Sequence, residues 1–280
     1  MQYFPHSPGM IDAKYHKGLI DQALCHENRS TLLGTAMKLT AEALDSEFVS
    51  CIRAHPEERH GNRVFQVREL HTSDDDLAQK LSPELIPFLE KRLPLHPQVN
   101  RLLQGQTAQF EVLDLTGSSW RERYIWLWHF YDPINPGLRF SGVFPIARYS
   151  DGGFSAVTLL RSGTVGFEPK DYKIANLLAG IFQEAEGFLG LWSHLEVFYK
   201  WLWLHASEKA SVLAGQMCCS ARTVEFHRRK LFQMLREYHL EGTAAEIIAR
   251  NLARINPSER IRLEYSQPKD LDFPQHSLAD

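Results

Sequence analysis

The chain has 280 residues, 44% hydrophobic and 23% charged, the composition of an ordinary soluble protein with room for two domains and their own cores. No apolar run reaches the length of a membrane span, which excludes a helical membrane protein. The opening M-Q-Y-F-P-H-S-P-G-M lacks the charged and then apolar regions of a secretory signal, so a cytoplasmic protein is expected.

In chain order, Ile11 to His26 and Ser30 to Ile52 are predicted helices, the second capped by Ser30 and stopped before Pro56. Val64 to Leu70 alternates as a strand, and H-T-S-D-D-D-L follows as a polar loop. Its aspartates do not read as a phosphoacceptor pocket, which needs acids at successive strand ends. Short helices are expected at Pro83 to Arg92 and Pro97 to Gln104, a strand at Phe110 to Leu115, and an aromatic-rich helix at Ser119 to Tyr131. Strands at Arg139 to Arg148 and Phe154 to Leu160 are joined by Ser150-Asp151-Gly152-Gly153, and a helix runs from Pro169 to about Gly187. Strands interspersed with helices predict an α+β N-terminal part, a central antiparallel sheet with helices.

Ser220 is a good N-cap, and from it Val224, Leu231 and Leu235 fall on one helical stripe with His227 and Met234 at its edges. Arg222, Glu225, Phe226 and Arg229 project from the other side. A helix in the major groove can use arginines for guanine edges, an apolar group for the thymine methyl and Glu225 for a cytosine amino group. Arg228, Lys230 and Arg236 would neutralise phosphates. A basic amphipathic helix packed on a protein partner is the other reading of the same spacing. The net charge of -3 hides an asymmetry, because Lys200 to His239 holds seven basic residues against three acidic ones. Only this segment is built for a polyanion.

T-V-E-F-H-R-R-K-L, with a capping serine three residues before its threonine, resembles the LuxR/NarL (FixJ-type) helix-turn-helix of bacterial transcription regulators, where T-V-x-x-H recurs in the recognition helix. The resemblance covers about 195 to 254 and implies an all-α C-terminal domain of four helices. Val212 to Met217 fits the preceding helix, and Cys218-Cys219 takes the turn where the family usually has Gly-Ile. The family's opening L-T-x-x-E-x-x-V-L is poorly kept in L-E-V-F-Y-K-W-L-W-L. Carried over by residue, Glu225, Phe226 and Arg229 match base-facing positions, while Arg222, Thr223, Arg228 and Lys230 match positions at or near the DNA backbone. His227 matches a mainly structural position, for packing or phosphate contact and not for catalysis. Thr243 to Leu252 resembles the fourth helix, which implies a homodimer through Ala244, Ile247, Ile248 and Leu252.

G-V-F-P-I-A-R-Y-S-D-G-G-F-S-A-V-T-L-L-R-S-G, followed by F-E-P-K-D, resembles the last strands and closing helix of the GAF/PAS-like sensors found ahead of this helix-turn-helix. The implied organisation is N-terminal helices over 1–60, in the sensor or its dimer interface, a sensor at 61–190, the helix-turn-helix at 195–256 and a polar tail at 257–280, loosely held or draped on the surface. Trp120, Tyr124, Trp126, Trp128 and Tyr131 either line a ligand cavity or dimer interface or pack as core. The lactone receptors' W-x-x-x-Y plus D-P signature is not cleanly present, since Asp132-Pro133 sits in a different setting, and a lactone is the lesser reading. Trp192, Trp201 and Trp203 are expected to hold the domains together.

Nothing asks for catalysis, since G-x-S-x-G, P-loop and G-x-G-x-x-G motifs are missing and the 13 histidines make no H-E-x-x-H. No cofactor and no metal are expected. Of the cysteines Cys25, Cys51, Cys218 and Cys219, the adjacent pair is too close for an ordinary structural disulfide, and redox sensing is its lesser reading. The reading is a transcription regulator with double-stranded DNA, a small-molecule effector and RNA polymerase as partners and no membrane. The alternative is a small-molecule-binding or protein-interaction module whose C-terminal helices only dimerise.

Overall fold

The computed structural model describes residues 18, 20, 29–59, 62–74, 86–87, 90–91, 93, 97–104, 110–115, 138–149, 151–162, 165–268 and 271. The chain divides after Gln183 into an N-terminal α+β unit and a C-terminal all-α unit beginning at Glu184.

The N-terminal unit is built on α1 (Arg29–Ala43), β1 (Phe48–Arg59), β2 (Asn62–Thr72), α2 (Pro97–Leu103), β3 (Glu111–Asp114), β4 (Leu138–Arg148), β5 (Phe154–Ser162) and the first half of α3 (Pro169–His194). The strands form one antiparallel sheet in the order β2-β1-β5-β4-β3. Successive side chains of a strand alternate between faces. Val49 and Cys51 therefore join Phe144, Val157 and Leu159 in a core with Met37 of α1 and Leu178 and Phe182 of α3. Ile52 and Ala54 join Val143, Phe154 and Phe65 in a second core with Val99 of α2. The hairpin β4–β5 closes through Gly152, whose φ of 84° only glycine adopts freely. The outer edge at β2 is covered in part by Glu90, whose carboxylate accepts the Val67 N–H at 3.2 Å and lies 3.7 Å from Arg59.

The predicted helix over Ser30 to Ile52 is corrected, because α1 ends at Ala43 and Phe48 already begins β1. The stop is made by Asp45, which takes φ 45° while Ser46 N–H reaches back to Ala41 O and Asp45 N–H to Glu42 O. Arg161 of β5 then donates to the carbonyls of Leu44 and Asp45 and pairs with Asp171 in the first turn of α3 at 3.0 Å. Pro56 is tolerated inside β1 because β1 pairs with β5 only as far as Ala54, so at Pro56 the strand has one neighbour. The expected helices at Ile11 to His26, Pro83 to Arg92 and Ser119 to Tyr131 lie wholly or mostly outside the described residues.

The C-terminal unit holds the second half of α3, then α4 (Val197–Leu204), α5 (Ala210–Gln216), α6 (Ala221–Glu237), α7 (Ala244–Asn251) and α8 (Pro257–Tyr265). Its core gathers Phe188, Trp192, Phe198, Trp201, Trp203 and Leu213 with the inner faces of α6 and α7. All three tryptophans expected between the domains thus serve the core of this unit. Gly187 is required by close packing, since a Cβ there would stand 2.7 Å from the Tyr238 carbonyl at the end of α6. Where a loose tail is expected after Pro257, the chain forms α8, capped by Asn256 and seated by buried Leu263. Glu259 fastens it, accepting from Lys200 at 2.8 Å and Trp192 Nε1 at 3.1 Å. Burial pushes the Glu259 carboxyl up, and these two bonds outweigh it and hold it below its ordinary range. No described helix is long and apolar enough to cross a membrane.

Candidate nucleic-acid interface

The site is assembled by the turn between α5 and α6. Met217 ends α5, and Cys218 takes φ 50°. Cys219 N–H donates to Ala214 O at 3.0 Å and Cys218 N–H to Gly215 O at 3.4 Å, the paired bonds that satisfy the last carbonyls of a helix. The chain makes this turn without glycine, against a left-handed cost of about 1–2 kcal/mol for an L-residue. Ser220 then extends (φ -81, ψ 152), and its Oγ accepts the Thr223 N–H at 3.1 Å, which starts α6 where the sequence places it.

Seventeen residues of α6 divide by helical phase into two faces. Val224, His227, Leu231 and Leu235 are buried. His227 is only 2% exposed, its Nδ1 lies 3.1 Å from the Tyr199 hydroxyl, and the Phe198 ring meets it edge-on at 5.1 Å. Of the two roles open to His227, packing is the one its burial allows.

Arg222, Glu225, Phe226, Arg229 and Lys230 are exposed on the opposite side, Phe226 by 45% of its surface. Arg222 and Arg229 have no hydrogen-bond or ion-pair partner among the described residues. The other residues matched to DNA contacts are engaged within the unit. The Thr223 hydroxyl is bonded to Ser220 Oγ at 2.9 Å. Lys230 Nζ lies 5.3 Å from the centre of the Tyr199 ring. Burial pushes the Tyr199 hydroxyl up, against the opposing pull of that ammonium group. Arg228 is the clearest departure from a backbone-contact role, because it donates to the Glu208 carbonyl and reaches Glu225 Oε1 at 3.3 Å. A guanidinium already bonded to the chain must break those bonds before it can meet a phosphate.

The exposed face holds one aromatic ring that the sequence reading did not single out, beside Arg236, which is expected at phosphates. Phe232 is 40% exposed and Arg236 stacks over it at 4.4 Å, one and two turns beyond Arg229. The 3.6-residue spacing that selects Arg222, Phe226 and Arg229 also selects these two. Phe232 and Arg229 border a groove of about 270 Å³ with Leu202, Ala206 and Thr243.

The expected dimer stripe is largely spent inside the unit. Ile247 is fully buried and Ile248 is 5% exposed in its core, with Ala244 and Leu252 packed against it. Trp203 Nε1 donates to the Ala244 carbonyl at 2.9 Å. Thr243 and Glu246 cap α7 reciprocally, and bonds from the Thr243 N–H and hydroxyl hold the Glu246 carboxyl below its ordinary range. Trp120, Tyr124, Trp126, Trp128 and Tyr131 lie outside the described residues.

No protein-family model and no curated protein matches the sequence. Among solved structures, the chain is similar to SdiA of Escherichia coli at 12% identity, over 87% of this chain and 99% of that one, with a TM-score of 0.42. It is similar to SdiA in complex with octanoyl-rac-glycerol at 13% identity, over 91% and 100%, with a TM-score of 0.44. It is also similar to CepR2 of Burkholderia cenocepacia, described as an N-acylhomoserine lactone dependent LuxR family transcription factor, at 11% identity, over 64% and 94%, with a TM-score of 0.38. Likeness at this level assigns the chain no activity.

Proposed function

We propose that this chain is a cytoplasmic bacterial transcription regulator whose C-terminal unit lays α6 in the major groove of duplex DNA. In this reading its N-terminal α+β unit senses a small molecule or a partner and governs that binding. The observation that carries it is the division of α6. Its apolar residues and His227 are buried in the unit's core, while Arg222 and Arg229, without partners among the described residues, flank an exposed Phe226.

Two arginines around a phenyl ring suit base edges, where a guanidinium meets guanine O6 and N7 and an apolar surface meets the thymine methyl. Glu225, now turned to Arg228, can accept from a cytosine amino group once Arg228 is drawn to a phosphate. A homodimer on a two-fold site belongs to the reading, with its contact outside buried Ile247 and Ile248. The test uses the full chain and a pool of short duplexes. Retention at low salt that falls steeply as salt rises is expected, because phosphate contacts release counterions. Failure to retain any duplex at low salt would overturn the reading and leave a chain whose C-terminal helices serve another partner.

A further inference from the structure

Three helices of this protein end in the same pair of backbone bonds, and each places a non-glycine residue in the left-handed region: Asp45 after α1, Cys218 after α5 and His239 after α6. Asp and His are residue types that visit this region more readily than most. Cysteine is not, so Cys218 is the position where local backbone preference gives no account of the residue found. Cys218 is exposed, Cys219 is half-buried beside it, and both are free thiols. Their turn leads directly into Ser220, the cap of α6.

We propose that Cys218 and Cys219 form a vicinal dithiol modification site, oxidised by hydroperoxides to a disulfide within the turn, which displaces the start of α6. Cys218 sulfur attacks one peroxide oxygen and the O–O bond breaks. Water or an alcohol departs with the Cys218 proton and leaves a sulfenic acid. Cys219 sulfur then attacks the Cys218 sulfur, the S–S bond forms as the S–O bond breaks, and the hydroxyl leaves with the Cys219 proton as water. Two electrons pass from the sulfurs to the peroxide oxygens. Burial and the neighbouring Cys218 both push the Cys219 thiol up, which leaves the first attack to exposed Cys218.

Adjacent Cα atoms across a trans peptide lie about 3.8 Å apart, below the span of about 4.4–6.8 Å usual for a disulfide. Closing an S–S bond between neighbours makes a strained eight-membered ring, which forces the peptide between Cys218 and Cys219 out of plane. Twisting the intervening peptide draws Cys219 N–H away from Ala214 O and carries Ser220 with it, so oxidation costs the α6 cap its place. The effect on DNA rests on the function proposed above, whereas the chemistry at the turn does not.

The experiment treats the full reduced chain with hydrogen peroxide, alkylates the remaining thiols and cleaves after lysine and arginine. The peptide Ala210–Arg222 carries both cysteines. It is expected to lose two hydrogens, to take up no alkyl group, and to recover both thiols with dithiothreitol. Cys218→Gly and Cys219→Ser are expected to show no such loss. Duplex retention by the wild type should fall about fivefold on oxidation, the size of losing one helix cap, and return on reduction. Cys219→Ser should keep its retention through the same treatment. A doubly alkylated peptide after peroxide, or one that only gains oxygen at a cysteine or at Met217, overturns the proposal. A disulfide that leaves retention unchanged overturns its coupling to α6. If the reduced chain retains no duplex at all, the DNA reading fails, and the peptide mass still decides the dithiol.

Discussion

Helices α6 and α7 start alike and end up with opposite uses of their outer faces. Each is capped by a hydroxyl side chain, Ser220 or Thr243, and each buries a sharp stripe in the same core. On α7 the polar groups are consumed by the fold: Glu246 closes on Thr243, Arg250 donates to Glu184 at 2.9 Å and to the Glu241 carbonyl, and Asn251 donates to Glu184. On α6 the guanidiniums of Arg222 and Arg229 face outward without partners among the described residues, beside half-exposed aromatic rings. Amphipathicity alone therefore does not separate a helix spent on the scaffold from one proposed to read DNA. What separates them is whether the charged face has already been satisfied.

The strongest way to break this contrast is Ile247→Ala, which empties a fully buried site on α7. It should lower stability by about 2–5 kcal/mol in urea unfolding. A loss within about 0.5 kcal/mol, the range of a surface substitution, would mean that α7 is not core and its stripe is free for a twin. Next in size is Arg229→Ala, expected to remove about 1–3 kcal/mol of discrimination at one base pair with stability unchanged. Lys230→Ala should instead weaken all duplexes alike, and equal losses on specific and random DNA for both variants would contradict the orientation given to α6.

Thr243→Ala tests the other side of the contrast and should cost about 1 kcal/mol of stability through the lost cap. Glu246 adds a pH signature. Its folded carboxyl sits lower than in the unfolded chain, so its contribution is present above the ordinary glutamate range and is lost as pH falls through the folded value. The gap between wild type and Thr243→Ala should accordingly narrow in acid, and a gap independent of pH would detach Glu246 from the cap. The smallest effect is a gain: Cys218→Gly relieves the left-handed cost but gives back glycine's unfolded-state entropy, for a net of about 0.5–1 kcal/mol. Asp45→Gly should gain less, since aspartate suits that conformation better.

Where the sequence signals its own breaks, the elements fall where they are predicted. Ser220, the strand predicted at Phe154 to Leu160 and the Asp151-Gly152-Gly153 turn are local signals, and the structure honours them. The failure at β1 has an equally local cause, because Asp45 ends α1 in a conformation that sequence reading assigns to glycine. Helix α4 carries no periodic signal to read, because Phe198, Tyr199, Trp201, Leu202 and Trp203 are all buried. Helix α8 was invisible because its hold on the core is one leucine and a carboxylate whose partners lie about sixty residues upstream. The engagement of Arg228 with a carbonyl twenty residues away likewise cannot be read from spacing.

The cover that Glu90 gives β2 bears on how the protein behaves when crowded. The sheet has two margins of unequal hazard: β3 runs for only 4 residues, but β2 offers 11, long enough to template a strand from another molecule. By occupying the Val67 N–H, Glu90 plants a carboxylate in the middle of that margin, and its ion pair with Arg59 ties it to the hairpin end of the neighbouring strand. One side chain of the N-terminal unit thus helps keep that margin from pairing with a strand of another molecule. Selection for solubility can act on Glu90 without touching α6.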